Sequence, residues 1–261
     1  MGCIIRSPPP SSPNSNFVYL PNTPCYLCLT QQNLRLVINS QRQTERTIAI
    51  LYLLATATSV AGLFLLQPSL TSPDYLNYLY SNRLSLSLAV VFQLSYDIYV
   101  VFIGILLYKI LRLRSLTIAM AILSTRLMEA TILALGNIGL LLLDPISKEY
   151  GVGENQDAPY LKSLGSMVQH WTNWSFDMAM LSLGIGGTVF CFFLFKRRWI
   201  PRPLAVLGVI GYVSLFSSSM MGMFYYSNAR FLFLFVALFE LIFSIWLLVK
   251  GFKDHAALSY A

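Results

Sequence analysis

Long apolar runs separated by short polar blocks dominate the chain. The first charge-free run is Thr47–Leu66, with Arg46 immediately before it, and further runs follow at about residues 85–110, 115–143, 166–195, 204–224 and 229–249. At a rise of about 1.5 Å per residue, a helix of 20 residues crosses the roughly 30 Å of hydrocarbon in a bilayer. The pattern therefore predicts an all-α polytopic membrane protein, a bundle of six transmembrane helices over residues 45–252. Residues 253–261 form a short C-terminal tail.

The flanking segments read differently. Residues 1–44 carry Pro8, Pro9, Pro10, Pro13, Pro21 and Pro24 among Ser, Asn and Gln, which predicts a disordered polar tail. Between the third and fourth runs, an acidic stretch from Asp144 to Gly165 holds Gly151, Gly153 and Pro159, and it predicts a loop with no continuous helix.

Composition agrees with the membrane reading. Hydrophobic residues make up 56% of the chain and charged residues only 11%, against about 25% charged in soluble domains. A soluble fold could not bury six such runs in one core. The net charge of +7 points to no nucleic-acid partner, because Lys and Arg gather at the ends of the runs. One side would hold Arg6, Arg35, Arg42 and Arg46, the turn Lys109, Arg112 and Arg114, the turn Lys196, Arg197, Arg198 and Arg202, and Lys250 and Lys253. The other side would hold only Arg83, Lys148, Lys162 and Arg230. The positive-inside rule then places both termini in the cytoplasm, in an inner (plasma) membrane protein whose first partner is the lipid bilayer.

Candidate chemistry lies inside the runs. Asp97, Arg126, Glu129, Asp177 and Glu240 all fall near mid-membrane depth. Each would cost about 2.5–3.5 kcal/mol at the centre of a lipid-facing helix, or on the order of 12–18 kcal/mol together, so they are expected to turn inward and find partners. Helical spacing adds Gln93 and Tyr96 beside Asp97, Leu133 and Asn137 beside Arg126 and Glu129, and His170 and Asn173 on the face of Asp177. Turning these seams together would form one binding site from Gln93, Asp97, Arg126, Glu129, His170, Asn173, Asp177 and Glu240. Four carboxylates there face one guanidinium, so a bound cation or protons must balance the site. Arg126 is expected to reach an acid of another helix, Asp97, Asp177 or Glu240, because Glu129 one turn away is badly placed for a two-pronged contact. Gly184, Gly186, Gly187, Gly208 and Gly211 are read as points of close helix contact.

No metal site is expected. Cys25 and Cys28 form a CxxC pair without further ligands in the tail, Cys3 and Cys191 stand apart, and one histidine in the membrane region falls short of a catalytic metal set. The sequence leaves any cofactor unknown: no phosphate-binding loop, HExxH or nucleophile elbow occurs to name one. Three functions fit. Binding or transport of a small cation or proton-coupled solute ranks first. A structural or partner protein with a purely structural polar core ranks second, and an intramembrane enzyme acting on a lipid-like substrate ranks third.

Several stretches resemble family 4386 of domains of unknown function, uncharacterised bacterial multipass membrane proteins. They are Arg126-Leu127-Met128-Glu129-Ala130, the run Ile200-Pro201-Arg202-Pro203-Leu204 leading into Gly208-Val209-Ile210-Gly211, Glu240, and the ending Ile245-Trp246-Leu247-Leu248-Val249-Lys250-Gly251-Phe252. The resemblance covers the membrane part, about residues 45–252. It implies this architecture and a bacterial origin, and it implies no mechanism.

Overall fold

A computed structural model describes residues 23–72, 74–152, 158–224 and 231–252. Among these residues the chain is helical throughout, with turns between helices. The order is α1 (Thr23–Thr71), α2 (Tyr75–Ser81), α3 (Arg83–Leu111), α4 (Leu116–Leu141), α5 (Leu143–Val152), α6 (Ala158–Arg197), α7 (Arg202–Met223) and α8 (Phe233–Val249). Five of these helices are long and apolar enough to cross a membrane: α1, α3, α4, α6 and α7. The sixth apolar helix, α8, has 17 residues. At about 1.5 Å per residue it spans roughly 25 Å, a little short of the hydrocarbon layer. The architecture is that of a polytopic helical membrane protein, as the hydropathy pattern predicts.

Two units are distinguished, Met1–Ile38 and Asn39–Ala261. In the first, the described residues 23–38 are helical and contain the Cys25–Cys28 pair, while the proline-rich stretch before Thr23 lies outside the described residues. The start of structure therefore differs from the boundary expected at residue 44: helix α1 begins at Thr23. All of the prolines that argued against structure lie at or before Pro24, and none follows until Pro68. The C-terminal tail, 253–261, also lies outside the described residues.

In the second unit, small residues set the spacing of the bundle. Helix α6 packs against α4 on one side and α7 on the other. At Gly186 a Cβ would strike the Thr125 side chain, at Gly187 the Tyr212 ring, and at Gly184 it would stand 2.9 Å from the Cβ of Phe216. At Gly208 it would lie 2.6 Å from Cys191 Sγ and from the Phe239 ring. The glycines expected to permit close contact do so. Helix–helix association in lipid depends on this packing, because the bilayer removes the usual hydrophobic drive. Around it lies one large core, with Ile103, Leu107, Phe190, Leu194, Leu215, Phe239 and Phe243 fully or almost fully buried. Outward-facing apolar side chains such as Phe64, Leu84, Phe192 and Leu234 are exposed and belong to a bilayer environment.

One connection differs from expectation. The stretch after α4 is a helix, α5, and α6 already begins at Ala158, so the stretch expected as a loop over 144–165 is helical at both ends. Pro159 stands in the first turn of α6, where a missing N–H costs nothing. Helices α2 and α5 pack on each other through Leu76, Leu79, Leu143 and Ile146, forming a small layer at one end of the bundle. The last helix is followed by Gly251, whose φ of 72° suits glycine after a helix C-terminus.

That end of α8 is tied to α1. The Arg42 guanidinium donates to the backbone carbonyls of Leu247 (3.0 Å), Leu248 (2.9 Å) and Val249 (2.8 Å). It also pairs with fully buried Glu45 at 3.3 Å. These carbonyls have no partner within their helix, and a cation suits the negative end of the helix dipole. Charged hydrogen bonds are worth about 1.5–3 kcal/mol each in mutational series. Arg42→Ala is therefore expected to lower stability by about 2 kcal/mol, seen as a fall of several degrees in the thermal unfolding of detergent-solubilised protein. An unchanged midpoint would show that the contact contributes nothing.

Candidate functional site

Arg126 and Glu129 lie one turn apart on α4, and both are buried, at 6% and 0% exposure. A guanidinium keeps its proton in proteins, so its charge must be met where it stands. Arg126 Nη1 lies 3.0 Å from Glu129 Oε2, a single contact that the i, i+3 spacing permits. Arg126 Nη2 donates to the Tyr52 hydroxyl of α1 at 2.8 Å, and the guanidinium carbon stands 5.6 Å from the centre of the Tyr52 ring. On the opposite side, the Tyr96 hydroxyl of α3 donates to Glu129 Oε1 at 3.1 Å. Room for the arginine stem comes from Gly104 of α3, where a Cβ would lie 2.9 Å from Arg126 Cβ.

Expectation and geometry part here. The ion-pair partner of Arg126 among the described residues is Glu129, and its second partner is a phenol, not an acid of another helix. Glu240 of α8 sits close by, accepting a hydrogen bond on Oε1 from the Tyr212 hydroxyl of α7 at 3.0 Å. Tyr52 and Tyr212 are thus members of the polar core that helical spacing alone did not select. Their signal was depth: tyrosines belong mainly at membrane interfaces, and Tyr212 lies midway along α7.

The remaining candidates are dispersed. Asp97 is buried at 7% exposure, and its Oδ2 accepts from Asn137 Nδ2 of α4 at 2.9 Å, which pairs α3 with α4 away from Arg126. Asp177 is buried at 5% exposure, its carboxylate lying against Gly222 of α7, where a Cβ would come within 2.8 Å of Oδ2. Gln93 is half-buried against Gly62 of α1. His170 and Asn173 are exposed, and His170 faces the Trp174 ring at 5.9 Å. Of the eight residues expected in one site, Arg126, Glu129 and Glu240 lie at the centre of the bundle with three tyrosines. Asp97 and Asp177 are bound between other helix pairs. His170 and Asn173 lie outside, since helical periodicity defines a face of α6 but not the neighbour that face meets. Among the described residues no group of three His, Cys, Asp or Glu side chains could hold a metal ion.

Beside the network lies a cavity of about 190 Å³. Tyr52, Tyr96, Arg126 and Glu240 supply its polar wall, and Val100, Ile103, Leu183 and Leu215 supply much of the rest. Arg126 reaches this space already engaged by Glu129 and Tyr52. Glu240 brings a carboxylate with no arginine or lysine within ion-pair distance among the described residues.

A helical membrane bundle with a buried polar network and an adjoining cavity defines the class. Residues 47–251 match the model of a family described as Domain of unknown function (DUF4386), and the chain belongs to that family. No curated protein and no solved structure matches it.

The Arg126–Glu129 contact yields a prediction about folding. Breaking one side of a buried pair costs about 3–5 kcal/mol, because the other charge is stranded. Arg126→Ala should lower the unfolding midpoint strongly, and adding Glu129→Gln should recover part of the loss. Equal losses in the single and double variants would show that the two side chains are not coupled.

Proposed function

We propose that this protein is a membrane-embedded binder of a small organic cation, a protonated or quaternary amine held in the cavity beside Glu240. The carrying observation is the charge arrangement at the cavity wall. Arg126 is neutralised by Glu129 at 3.0 Å, whereas Glu240 meets a neutral phenol and faces the open space. Two carboxylates around one guanidinium leave a place for one further positive charge, and a low-dielectric surrounding makes that attraction strong. Tyr52, Tyr96 and Phe233 also line the cavity, and aromatic faces attract ammonium groups. The apolar remainder of the wall suits the carbon body of such a ligand.

A second reading concerns the other half of the network. Arg126, Glu129, Tyr52 and Tyr96 satisfy one another and link α1, α3 and α4, which supports a structural role for those four residues. Binding is then the work of Glu240 and the cavity. An enzyme reading loses its histidine, because His170 is exposed beside Trp174 and does not line the cavity.

The charge asymmetry between the two ends of the bundle supports an orientation with both termini cytoplasmic in a bacterial inner membrane. Reporter fusions in helix α5 should accordingly signal from the outer side, and a cytoplasmic signal there would reverse the assignment.

Binding is tested with n-butylammonium on the detergent-solubilised full chain. A ligand at about one hundred times its Kd stabilises the folded state by roughly 2.7 kcal/mol, or roughly 5–10 °C in unfolding temperature for a protein of this size. Glu240→Gln should abolish that shift relative to its own ligand-free midpoint. Equal shifts in both proteins, or none in the natural one, would remove the assignment.

A further inference from the structure

The cavity has one wall that is not sealed, and its place decides which molecules reach Glu240. Most of the residues around the cavity are buried or half-buried; the exposed ones are Val60 of α1, at 45% exposure, and Ala237 of α8. The mouth therefore lies in the seam between α1 and α8. That seam is tight at the other end. Arg42 of α1 holds the last carbonyls of α8, and further along the Tyr52 ring meets Phe243 edge-on at 5.9 Å between centres. Beyond Tyr52 the facing residues are small, Thr56 and Ser59 on α1 and Ala237 on α8, and the space between the helices is the cavity itself. Around the mouth both helices present large exposed apolar side chains: Leu63 and Phe64 on α1, Leu234 and Leu238 on α8, between 47% and 71% exposed. This rim lies toward the end of the α1 span and in the first turns of α8, and its large apolar side chains suit contact with hydrocarbon.

Size points the same way. About 190 Å³ is smaller than the roughly 300–1,000 Å³ of pockets that enclose a whole drug-sized ligand. A larger molecule could place only its head there, and its tail would have to leave through the mouth, where the rim offers an apolar path.

Resting on the reading of the cavity as a cation pocket, we infer that the ligand is a membrane-dissolved amphiphilic amine, entering sideways from the bilayer between α1 and α8 with its ammonium on Glu240 and its chain extending past Val60 and Ala237 into the lipid. Two elements divide the work. Glu240 selects the positive head, and the seam admits a chain of any length while offering no direct route for a cation confined to water.

A series of alkylammonium ions tests this on the full chain in nanodiscs of zwitterionic lipid. Methyl-, butyl- and dodecylammonium are compared by their shift of the unfolding midpoint, with concentrations corrected for the amount of each in the lipid. Dodecylammonium should bind at least as well as butylammonium, because its chain leaves through the mouth, and Glu240→Gln should weaken both by tenfold or more. Ala237→Trp and Val60→Trp narrow the mouth at exposed positions, and each should weaken dodecylammonium at least tenfold more than methylammonium. Exclusion of dodecylammonium from the natural protein while butylammonium binds through Glu240 would overturn lateral entry and leave the cation pocket standing. Absence of any Glu240-dependent binding across the series would overturn the pocket itself, and unselective effects of both mouth variants would overturn the seam as the route. The wild-type series needs no substitution, so a variant that fails to fold leaves the test intact.

Discussion

A guanidinium in the middle of a membrane bundle must be met by charge and hydrogen bonds from its neighbours, and in this protein the neighbours are arranged around Arg126. Its carboxylate comes from its own helix, one turn along, so the pair is a property of α4 alone. The other helices answer to that pair. Helix α1 brings the Tyr52 hydroxyl to the free side of the guanidinium, α3 brings the Tyr96 hydroxyl to the free oxygen of Glu129, and α3 also gives up a side chain at Gly104 to admit the arginine stem. Each contact fixes a helix in rotation and in depth at once, because a slip of one residue would turn the donor away and leave a buried charge unmet. Apolar packing in lipid lacks that penalty, since one apolar face meets lipid as well as it meets protein. The polar pair can therefore specify a register that the surrounding leucines and phenylalanines leave open.

The same arrangement creates the imbalance on which a function can rest. Had Arg126 been shared between α4 and α8, Glu240 would be a second structural partner and the network would close on itself. Because Glu129 takes Arg126 first, Glu240 is left with the neutral hydroxyl of Tyr212 and an open cavity. A closed half and an open half thus sit side by side, the first holding α1, α3 and α4 together and the second joining α7 to α8. This division follows from the i, i+3 spacing of Arg126 and Glu129, which gives the arginine its carboxylate on its own helix and leaves it only a phenol to reach on α1.

Much of this was legible in the sequence, and the limits of legibility are physical. Charges at mid-depth stand out because hydrocarbon makes them costly, so Asp97, Arg126, Glu129, Asp177 and Glu240 could be selected with no structure, and all but Glu240, which is half-buried beside the cavity, are almost wholly buried. Which of them meet was not legible, because periodicity orients a residue about its own helix axis and contains nothing about the helix opposite. His170 and Asn173 share the face of Asp177 yet are exposed, because the packing that covers this face at Asp177 does not extend along it to the start of α6. Tyr52 and Tyr212 carry a weaker signal, because a tyrosine at mid-depth is unusual but costs far less than an ion. The early start of α1 is masked by composition: the prolines up to Pro24 dominate a stretch whose later residues contain none until Pro68, among them Arg42, which holds the end of α8.

Equal depth had suggested a single cluster, and its failure says how polar residues are used in this bundle. A midplane is a surface with an area, and six helices leave several separate seams within it. Asp97 with Asn137 occupies the seam between α3 and α4, and Asp177 lies against Gly222 in the seam between α6 and α7. Each joins helices already adjacent in the packing. Among the described residues, the bonds of Arg126 and Glu129 draw on α1, α3 and α4, that of Glu240 joins α7 to α8, and both sets border the cavity. Paired seams need polar contacts only between two faces. A network that gathers five helices leaves space where their faces diverge, and in this protein that space is the cavity beside Glu240.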